Sequence, residues 1–368
     1  MVKITMLKKT KENFFNKIAL KDFKTRQAYE RRISKWEYFC LKNTDKSDYI
    51  PKTLEETIEI LQLFINWFSL DDWNNQSKTK GHSPNSVWNY ASSIRKYLYY
   101  RGSPITKDDF QEHIELPKKI EKELHGLSLD EITRILNDLD YENRVMFLCQ
   151  LSAGMRIGEL VQLRKKHLKL DTDRIIVKIP AKIAKFKRAR TTFFSKEAAV
   201  LLRVILKRKE DDDLIFGTSD VLKTAENNKG AILRNHLDKI GLGLRYEDTG
   251  NYQINTHSFR AYFITKVSRH DENLAKFLAG EKGYLLQYDR MTEEEKLEKY
   301  MDIEKDLFIY DLSKKDDEIK KLRIANTKLV DQEQELQSQA KQIKELQIQQ
   351  EDQARLLRLI EKYPRMQD

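Results

Sequence analysis

The sequence predicts a mainly α-helical protein with one small β-sheet. Glycine and proline are scarce, at 12 and 6 of 368 residues, and scarcity of these helix-interrupting residues favours long helices. Apolar residues recur at helical spacing along most of the chain, and the spacing changes to that of β-strands near residue 173. A chain of this length exceeds one ordinary domain, so we expect two domains and an appendage.

The first predicted domain covers residues 15–115 and follows an N-terminal extension, residues 1–14. Apolar and aromatic side chains recur at helical spacing from Lys21 onward. A capping box at Thr53 and a serine–proline pair at Ser83 open two further helices. These signals predict a small all-α domain that leaves many basic side chains for solvent or DNA.

A charged linker, residues 116–127, precedes the second predicted domain, which covers residues 128–310. A capping box at Ser128 opens its first helix. Residues 173–180 and 190–194 are rich in β-branched and aromatic side chains, and a basic turn joins them, which indicates a β-hairpin. Helical spacing then resumes, so we expect an α-rich domain with a small sheet.

The tail, residues 311–368, carries a seven-residue repeat typical of a coiled coil. One register is apolar apart from Gln350, with Leu322, Leu329, Leu336, Ile343 and Leu357. The companion register is mostly polar, so the predicted coiled coil is marginal. The tail could pair with another copy, pack back on the body of the protein, or stay a solvated helix.

The overall charge favours a polyanionic partner, most simply nucleic acid. Lysine and arginine number 68 against 58 acidic residues, a net charge of +10. The alternative is a generically basic protein. The two cysteines, Cys40 and Cys149, lie far apart among apolar neighbours, which indicates buried thiols in a reducing cytosol. The sequence shows no zinc-type spacing, no bilayer-spanning run and no signal-peptide core, so we expect a cytoplasmic protein.

His257 and Arg260 stand three residues apart in the segment THSFRAYFITK. Residues at this spacing are neighbours on a helix, and two such groups facing the same way indicate a shared anion. The alternative is a surface helix with incidental polar residues. The apolar residues around the pair would anchor the helix in the core.

Arg156 follows a glycine turn in the segment SAGMRIGELVQL, at the start of a helix predicted to run to Leu163. A helix N-terminus can help to hold a phosphate, and Glu159 is close enough to orient the guanidinium. The alternative is a surface arginine in a capped helix. The segment is therefore a candidate source of a second arginine for an anion site.

The turn between the predicted strands is strongly basic and includes Lys182, Lys185, Lys187, Arg188 and Arg190. A lysine at a hairpin tip can reach into a DNA groove and give a proton to a leaving oxygen. The alternative is a solvated turn that only contacts phosphates.

Two arginines, a lysine and a histidine are thus candidates in one predicted domain. Two arginines can clamp both non-bridging oxygens of a phosphodiester and offset the charge of the transition state. No Asp/Glu cluster with obvious Mg²⁺ spacing lies near them, so metal-dependent cleavage is less natural. Tyr284, Tyr288 or Tyr300 could instead attack phosphorus and store the bond energy in a covalent link.

The order and contexts of these residues resemble the tyrosine recombinases, the lambda-integrase and Xer class, from about Lys21 to Tyr300. GMRIGEL resembles the first arginine motif, KFKRARTTF the lysine motif and HSFR the His-x-x-Arg motif. YDRMTEEEKLEKY resembles the tyrosine segment of archaeal members, which selects Tyr288 over Tyr284 and Tyr300. Each motif alone is weak, and four in this order behind a basic helical domain are specific.

The resemblance implies a SAM-like core-binding domain, a tyrosine-recombinase catalytic domain and the integrase activity of an archaeal mobile element or virus. The implied catalytic residues are Arg156, Lys185, His257, Arg260 and Tyr288. Further DNA contacts are expected from Lys182, Lys187, Arg188 and Arg190. The implied partners are double-stranded DNA and further copies of the chain, in a tetramer on DNA, and no metal or other cofactor is implied.

Glu281 departs from the family's pattern, in which His or Trp usually follows the glycine that precedes the tyrosine. An ionised carboxylate cannot donate to a phosphate, so this role is lost or the loop is arranged differently. Among the hairpin lysines, Lys185 fits best, and Lys182 and Lys187 stay open. Tyr288 could act within its own chain or in a neighbouring subunit. Rival functions are Xer-like chromosome-dimer resolution, type IB relaxation of supercoils, and DNA binding without catalysis.

Overall fold

The computed structural model describes residues 8–20, 22–74, 79–119, 121, 123–217, 219, 221–247, 249–281 and 291–310. The chain divides into two compact units: Met1–His125 with Leu237–Asn255, and Gly126–His236 with Thr256–Asp368. The predicted coiled-coil tail lies outside the described residues. The predicted domain boundaries stay predictions.

The first unit is mainly helical. Its described elements are α1 (Lys11–Ala19), α2 (Phe23–Thr44), α3 (Leu54–Leu70), a hairpin of β1 (Trp73–Asn74) and β2 (Thr79–Lys80), α4 (Pro84–Arg101) and α5 (Lys107–His113). Side-chain oxygens of Asp22 and Thr53 accept hydrogen bonds from the backbone N–H groups of Thr25 and Glu56. These caps determine where α2 and α3 begin.

Aromatic side chains form the centre of this unit. Trp36 and Phe39 on α2 lie 5.6 and 5.4 Å from Phe64 on α3, measured between ring centroids. Helix α1 begins inside the predicted N-terminal extension and buries Phe14 against Tyr97 of α4. Large rings of this kind supply much of the apolar area that stabilises a small helical unit.

The second unit is α-rich around a three-stranded sheet. Its described elements are α6 (Leu129–Asp138), α7 (Tyr141–Ala153), α8 (Ile157–Leu160), β3 (Leu168–Lys169), β4 (Ile175–Ile179), β5 (Arg190–Phe194), α9 (Lys196–Leu206), α10 (Leu222–Lys239), α11 (Thr256–Ser268), α12 (Glu272–Ala279) and α13 (Glu293–Ile303). The last residues of α10, 237–239, fall in the first unit. The capping box predicted at Ser128 is formed in full, with reciprocal hydrogen bonds to Glu131. Among the residues described, no helix combines the length and apolar character needed to cross a membrane.

The predicted β-hairpin is confirmed as strands β4 and β5 of an antiparallel sheet with the order β3-β4-β5. Its register pairs Ile179 with Arg190 at the end that carries the basic turn. Buried residues do not alternate along these strands, and they include Ile175, Ile176, Val177, Phe193 and Phe194. Both faces of the hairpin are therefore covered, which gives the basic turn a rigid base.

The helix predicted from Arg156 to Leu163 is shorter in the structure, where α8 covers only Ile157–Leu160. The carbonyl oxygen of Leu163 accepts a hydrogen bond from the Ile215 N–H at 2.9 Å, and the next residue forms a β-bridge to the same segment. This tertiary pairing overrides the helical spacing of the apolar residues. So short a helix has little dipole to hold a phosphate, and Arg156 must act through its side chain.

Glu197 is a buried carboxylate at the start of α9, with 5% exposure. Its two oxygens accept hydrogen bonds from the backbone N–H groups of Ile309 and Tyr310 at 3.1 and 2.8 Å. Burial raises the pKa of Glu197 to about 7, although these two hydrogen bonds oppose the rise. The residue thus anchors the last described segment of the second unit to α9.

We expect Glu197 to make the second unit less stable as the pH rises toward 7. The pKa of this carboxyl rises from 4.5 to about 7 on folding, so the folded protein binds an extra proton between these values. The stabilisation is fully present below pH 4.5 and is lost as the pH rises through the folded pKa, by up to ~3 kcal/mol.

Urea unfolding followed by circular dichroism at about pH 5.5 and about pH 8 measures this loss in full-length protein. Glu197→Gln should show a smaller loss than wild type, because the amide does not titrate. Glu272→Gln, which removes an exposed carboxylate of α12, should behave like wild type. Equal losses in wild type and Glu197→Gln would contradict the assignment.

Candidate active site

Arg260 on α11 forms the buried base of the candidate site, with 1% exposure. Its Nη1 donates hydrogen bonds to the carbonyl oxygens of Gly154 and Ala279. Burial, and then the charge of Arg156, lower the pKa of Arg260 to about 10. Its buried Nε has no hydrogen-bond partner among the described residues. A guanidinium in this state is suited to an anionic acceptor that arrives from outside.

Gly154 lets α11 come close to the end of α7. It follows α7 in the left-handed conformation, with a φ of 60°, which favours glycine. A β-carbon at this position would lie 2.2 Å from the ring of Phe263. The lack of a side chain therefore allows Arg260 to reach the Gly154 carbonyl.

Arg156 lies directly before α8, and its side chain reaches the end of α12. Its Nη1 lies 3.0 Å from the carbonyl oxygen of Gly280 and 3.4 Å from that of Ala279. The backbone N–H of Arg156 donates to the carboxylate of Glu159, which also lies 3.4 Å from the guanidinium. Glu159 thus orients Arg156, as their spacing in the sequence predicts.

Arg190, predicted to contact DNA, is instead buried in an ion pair with Glu159. Its Nη1 and Nη2 donate to the two carboxylate oxygens at 3.1 and 2.6 Å, and the side chains are 5% and 3% exposed. Its Nε donates to the carbonyl oxygen of Leu278 at 3.0 Å. Burial tends to raise the pKa of Glu159, and the hydrogen bond and charge of Arg190 outweigh it, so this pKa is lowered. The structure therefore corrects the prediction, because these internal contacts occupy the donors of Arg190.

Three arginines converge on the carboxyl end of α12. The backbone carbonyls of residues 278–280 accept hydrogen bonds from Arg156, Arg190 and Arg260. The last carbonyls of a helix lack partners within the helix and carry the negative end of its dipole. Gly280 has a φ of 67°, and a β-carbon there would lie 2.6 Å from the Arg190 guanidinium. The end of α12 thus supplies the counter-charge that lets three like charges share one site.

The basic turn between β4 and β5 brings Lys185 toward Arg156. The ring centroid of Phe186 lies 5.7 Å from Lys185 Nζ and 5.2 Å from the guanidinium carbon of Arg156. Both cations therefore contact one aromatic ring. The backbone N–H of Lys185 also lies 3.4 Å from Glu159 Oε1. Arg156 and the best-fitting hairpin lysine thus belong to one cluster.

The other basic residues of the turn are exposed, namely Lys182, Lys187 and Arg188. Lys187 has a φ of 54°, and its Nζ donates to the Lys182 carbonyl oxygen at 3.1 Å. Lys182 also lines an open cavity of about 370 Å³. These side chains are open to solvent. Their predicted contacts with DNA, like the choice of Lys185 as the catalytic lysine, stay predictions.

His257 is accessible to solvent and lies in the field of the arginines. Partial desolvation, and then the charges of Arg260 and Arg156, lower its pKa, with a further contribution from Lys185. The imidazole is therefore neutral near pH 7, and a neutral imidazole can accept a proton from a hydroxyl group. The structure thus brings together four of the five predicted catalytic residues.

Glu281 directly follows Gly280 and pairs with Arg260. Its Oε1 lies 3.2 Å from Arg260 Nη2, and its side chain is 39% exposed. The backbone N–H of Glu281 donates to the Lys276 carbonyl oxygen at 2.9 Å, which closes the end of α12 as a Schellman-type turn. The position that departs from the family's pattern therefore holds an anion inside the cationic cluster.

Tyr300 is excluded as a nucleophile by its burial. Its hydroxyl donates to the Ser152 carbonyl oxygen at 2.8 Å, and its ring packs on Phe193. Burial raises the pKa of Tyr300 well above its usual value. Tyr284 and Tyr288 lie outside the described residues, so the choice of Tyr288 stays a prediction.

Sequence reasoning missed three parts of this site. It did not find the Glu159–Arg190 pair, the α12 carbonyls as arginine acceptors, or the Phe186 ring that two cations contact. The Glu159–Arg190 pair had a partial signal in the sequence, because Glu159 stands at helical spacing from Arg156. Within the described parts of the chain, no group of three or more His, Cys, Asp or Glu residues is arranged to hold a metal ion.

Replacing Glu159 by glutamine should destabilise the second unit by about 3–5 kcal/mol, because Arg190 would stay buried without its counter-charge. Urea unfolding followed by circular dichroism measures the change. The control, Glu272→Gln, breaks an exposed pair with Lys276 and should cost less than ~0.5 kcal/mol.

Tryptophan fluorescence separates the two units in the same experiment. All tryptophans of the chain lie in the segment Met1–His125, at Trp36, Trp67, Trp73 and Trp88. The circular dichroism transition should therefore contain a destabilised phase that fluorescence does not follow. A change no larger than that of the control would show that the ion pair does not hold the site together.

Residues 125–278 match the model of a family described as the phage integrase family. Among curated proteins, a tyrosine recombinase XerD from Oceanobacillus iheyensis is 33% identical over 99 residues. That match covers 25% of this chain and 33% of the relative, so the chain spans about a third of the relative's length.

Solved structures of similar fold include the XerH site-specific recombinase bound to a palindromic difH substrate. It is 18% identical, with 79% of this chain and 83% of that chain covered and a TM-score of 0.51. The Tn1549 transposon integrase in complex with a circular intermediate DNA is 14% identical, with 79% and 98% covered and a TM-score of 0.51. At these identities the likeness shows a shared fold.

Proposed function

We propose that this chain is a site-specific DNA recombinase that cleaves and rejoins duplex DNA through a 3′-phosphotyrosyl intermediate. The observation that carries the proposal is the buried Arg260 guanidinium, whose Nε has no partner among the described residues and whose pKa is lowered by burial and by Arg156. A phosphodiester that enters the site offers both an acceptor and a negative charge. The matched family model and the shared fold support the same activity.

Arg156, Arg260 and His257 hold and neutralise the scissile phosphate in this proposal. Both guanidinium groups contact the Ala279 carbonyl oxygen, so their positions are coupled through one acceptor. Fixed donors of this kind stabilise the charge that builds on the non-bridging oxygens, and they do not need to reorganise during the reaction. The burial of Arg260 strengthens the effect, because water screens the interaction less there.

Tyr288 attacks the phosphorus, so that a phosphorus–tyrosine bond forms and the bond to the 5′-oxygen breaks. The phenol proton passes to His257, which is neutral near pH 7 because its pKa is lowered. Lys185 gives a proton to the departing 5′-oxygen. Attack by a 5′-hydroxyl group reverses these steps, and the chemistry uses no metal ion or nucleotide.

The proposed task is the integration or excision of an archaeal mobile element or viral genome in the host cytoplasm. It rests on the likeness of YDRMTEEEKLEKY to the tyrosine segment of archaeal members. Xer-like resolution of chromosome dimers and type IB relaxation of supercoils use the same chemistry. Relaxation of a plasmid that lacks any target site would favour the type IB function.

A second candidate function is DNA binding without catalysis. Glu281 favours it, because its carboxylate pairs with Arg260 at 3.2 Å. A protein of this kind would bind DNA in a salt-sensitive manner, since its lysines and arginines release counterions from the phosphates. It would not form a covalent link to DNA.

The proposed partners are duplex attachment sites and further copies of the chain. A net charge of +10 supports the attraction to DNA. Synapsis of two duplexes would place four copies in one complex. The tail, residues 311–368, would support this assembly if its apolar register pairs with another copy.

Wild type should form a covalent adduct with a nicked suicide duplex that carries the candidate attachment site, and Tyr288→Phe should not. The nick lets a short fragment diffuse away, which traps the phosphotyrosyl link, and denaturing gels then show the adduct. An adduct that survives in Tyr288→Phe would identify a different nucleophile. Adduct in neither protein, on DNA shown to bind, would favour the non-catalytic function.

Lys185→Ala should lower the cleavage rate by about 100-fold or more, as expected for the loss of a general acid. Replacement of the 5′-bridging oxygen of the substrate by sulfur should restore much of the rate, because a thiolate leaves without a proton. The matched variants Lys182→Ala and Lys187→Ala should show no such rescue. Rescue of the cleavage rate in one of these controls would assign the general-acid role to the lysine that was replaced in it.

A further inference from the structure

Glu281 places a carboxylate on the buried guanidinium of Arg260. Its Oε1 lies 3.2 Å from Arg260 Nη2, and the two side chains are 39% and 1% exposed. One end of this ion pair is therefore open to solvent and the other is not. An anion that arrives from solvent competes with this carboxylate for Nη2.

The carboxylate also acts on the neighbouring histidine. It raises the pKa of His257, against the lowering by desolvation and by Arg260 and Arg156. Glu281 is therefore close enough to both groups to offset part of their shared positive field. A carboxylate also presents two oxygens to a guanidinium, as a phosphodiester does with its non-bridging oxygens.

Hydrogen bonds hold the backbone that leads into Glu281. Its N–H donates to the Lys276 carbonyl oxygen, and the preceding carbonyl, of Gly280, accepts from Arg156 at 3.0 Å. The Glu281 side chain joins this backbone through rotatable bonds. Rotation of that side chain can therefore free Arg260 Nη2 and leave the arginine cluster in place.

We propose that Glu281 is an internal anion that occupies Arg260 in the DNA-free protein and must leave before the scissile phosphate binds. The inference rests on the proposed function, because the scissile phosphate is the competing ligand. The contact lowers the apparent affinity of the site for any phosphate, since only the fraction with Arg260 released can bind. A phosphate that other protein–DNA contacts already hold in place can overcome this competition, and a free phosphate does so poorly.

Inorganic phosphate tests the competition without any strand cleavage. Full-length wild type and Glu281→Gln are melted across a range of phosphate concentrations at constant ionic strength, and circular dichroism follows unfolding. We expect Glu281→Gln to bind phosphate about tenfold more tightly, because the amide keeps the shape of the side chain and removes its charge. Glu281→Ala should show the same gain, which guards against an effect specific to the amide.

Two further variants test whether the gain in phosphate binding arises in the arginine cluster. Glu272→Gln removes one negative charge from an exposed pair on α12, the helix that precedes Glu281, and should bind phosphate like wild type. The double variant Arg156→Ala, Glu281→Gln should lose the gain, because Arg156 holds the Gly280 end of the same cluster. Each protein is compared with its own melting temperature in the absence of phosphate, which removes differences in stability.

Equal phosphate binding by wild type and Glu281→Gln would overturn the inference, and so would an equal gain in Glu272→Gln. Failure of the proposed function gives a different pattern. In that case Glu281→Gln gains phosphate binding, and no variant forms the tyrosine–DNA adduct. If both the inference on Glu281 and the proposed function are right, Glu281→Gln gains phosphate binding and wild type forms the adduct.

Discussion

The second unit depends on the contacts that hold three arginines close together despite their like charges. Arg156, Arg190 and Arg260 all donate to the carbonyls of residues 278–280, where the α12 dipole is negative. Glu159 adds the one buried carboxylate that binds Arg190 and orients Arg156. If Glu159 were missing, the Arg190 guanidinium would stay buried without its counter-charge, at a cost of about 3–5 kcal/mol. The cluster is therefore a part of the fold as well as a candidate site.

The surrounding elements place the other polar groups around this cluster. The hairpin of β4 and β5 is buried on both faces, so its turn carries Lys185 on a rigid base. Arg156 and Lys185 both contact the ring of Phe186, which brings the two cations close together. Helix α11 approaches α7 because Gly154 has no side chain, and this approach positions His257 and Arg260 together. Local backbone requirements thus determine where the chemistry can occur.

Short-range spacing predicted the helices, the hairpin and the pair of His257 and Arg260. The grouping of that pair with Arg156 and Lys185 came from the order of the motifs and the resemblance to a family. Ser128 capped its helix as expected, and His257 and Arg260 lie on one helix. The failures came from long-range pairing. Helix α8 ended early because its following residues pair with a distant segment, and Arg190 appeared to be one more basic turn residue. No spacing rule could place Arg190 beside Glu159, since 31 residues separate them.

The arginine acceptors on α12 are main-chain atoms, and this has a consequence for how the segment can change in evolution. A carbonyl oxygen is present whatever side chain its residue carries, so the arginines place no direct demand on the side chains of Leu278 and Ala279. Only Gly280 is constrained by these contacts, through its left-handed backbone and its closeness to Arg190. Leu278 and Ala279 are fully buried in the apolar core, so packing still limits which side chains they can carry. Their electrostatic role, in contrast, is carried by main-chain atoms and leaves little trace in the amino-acid sequence.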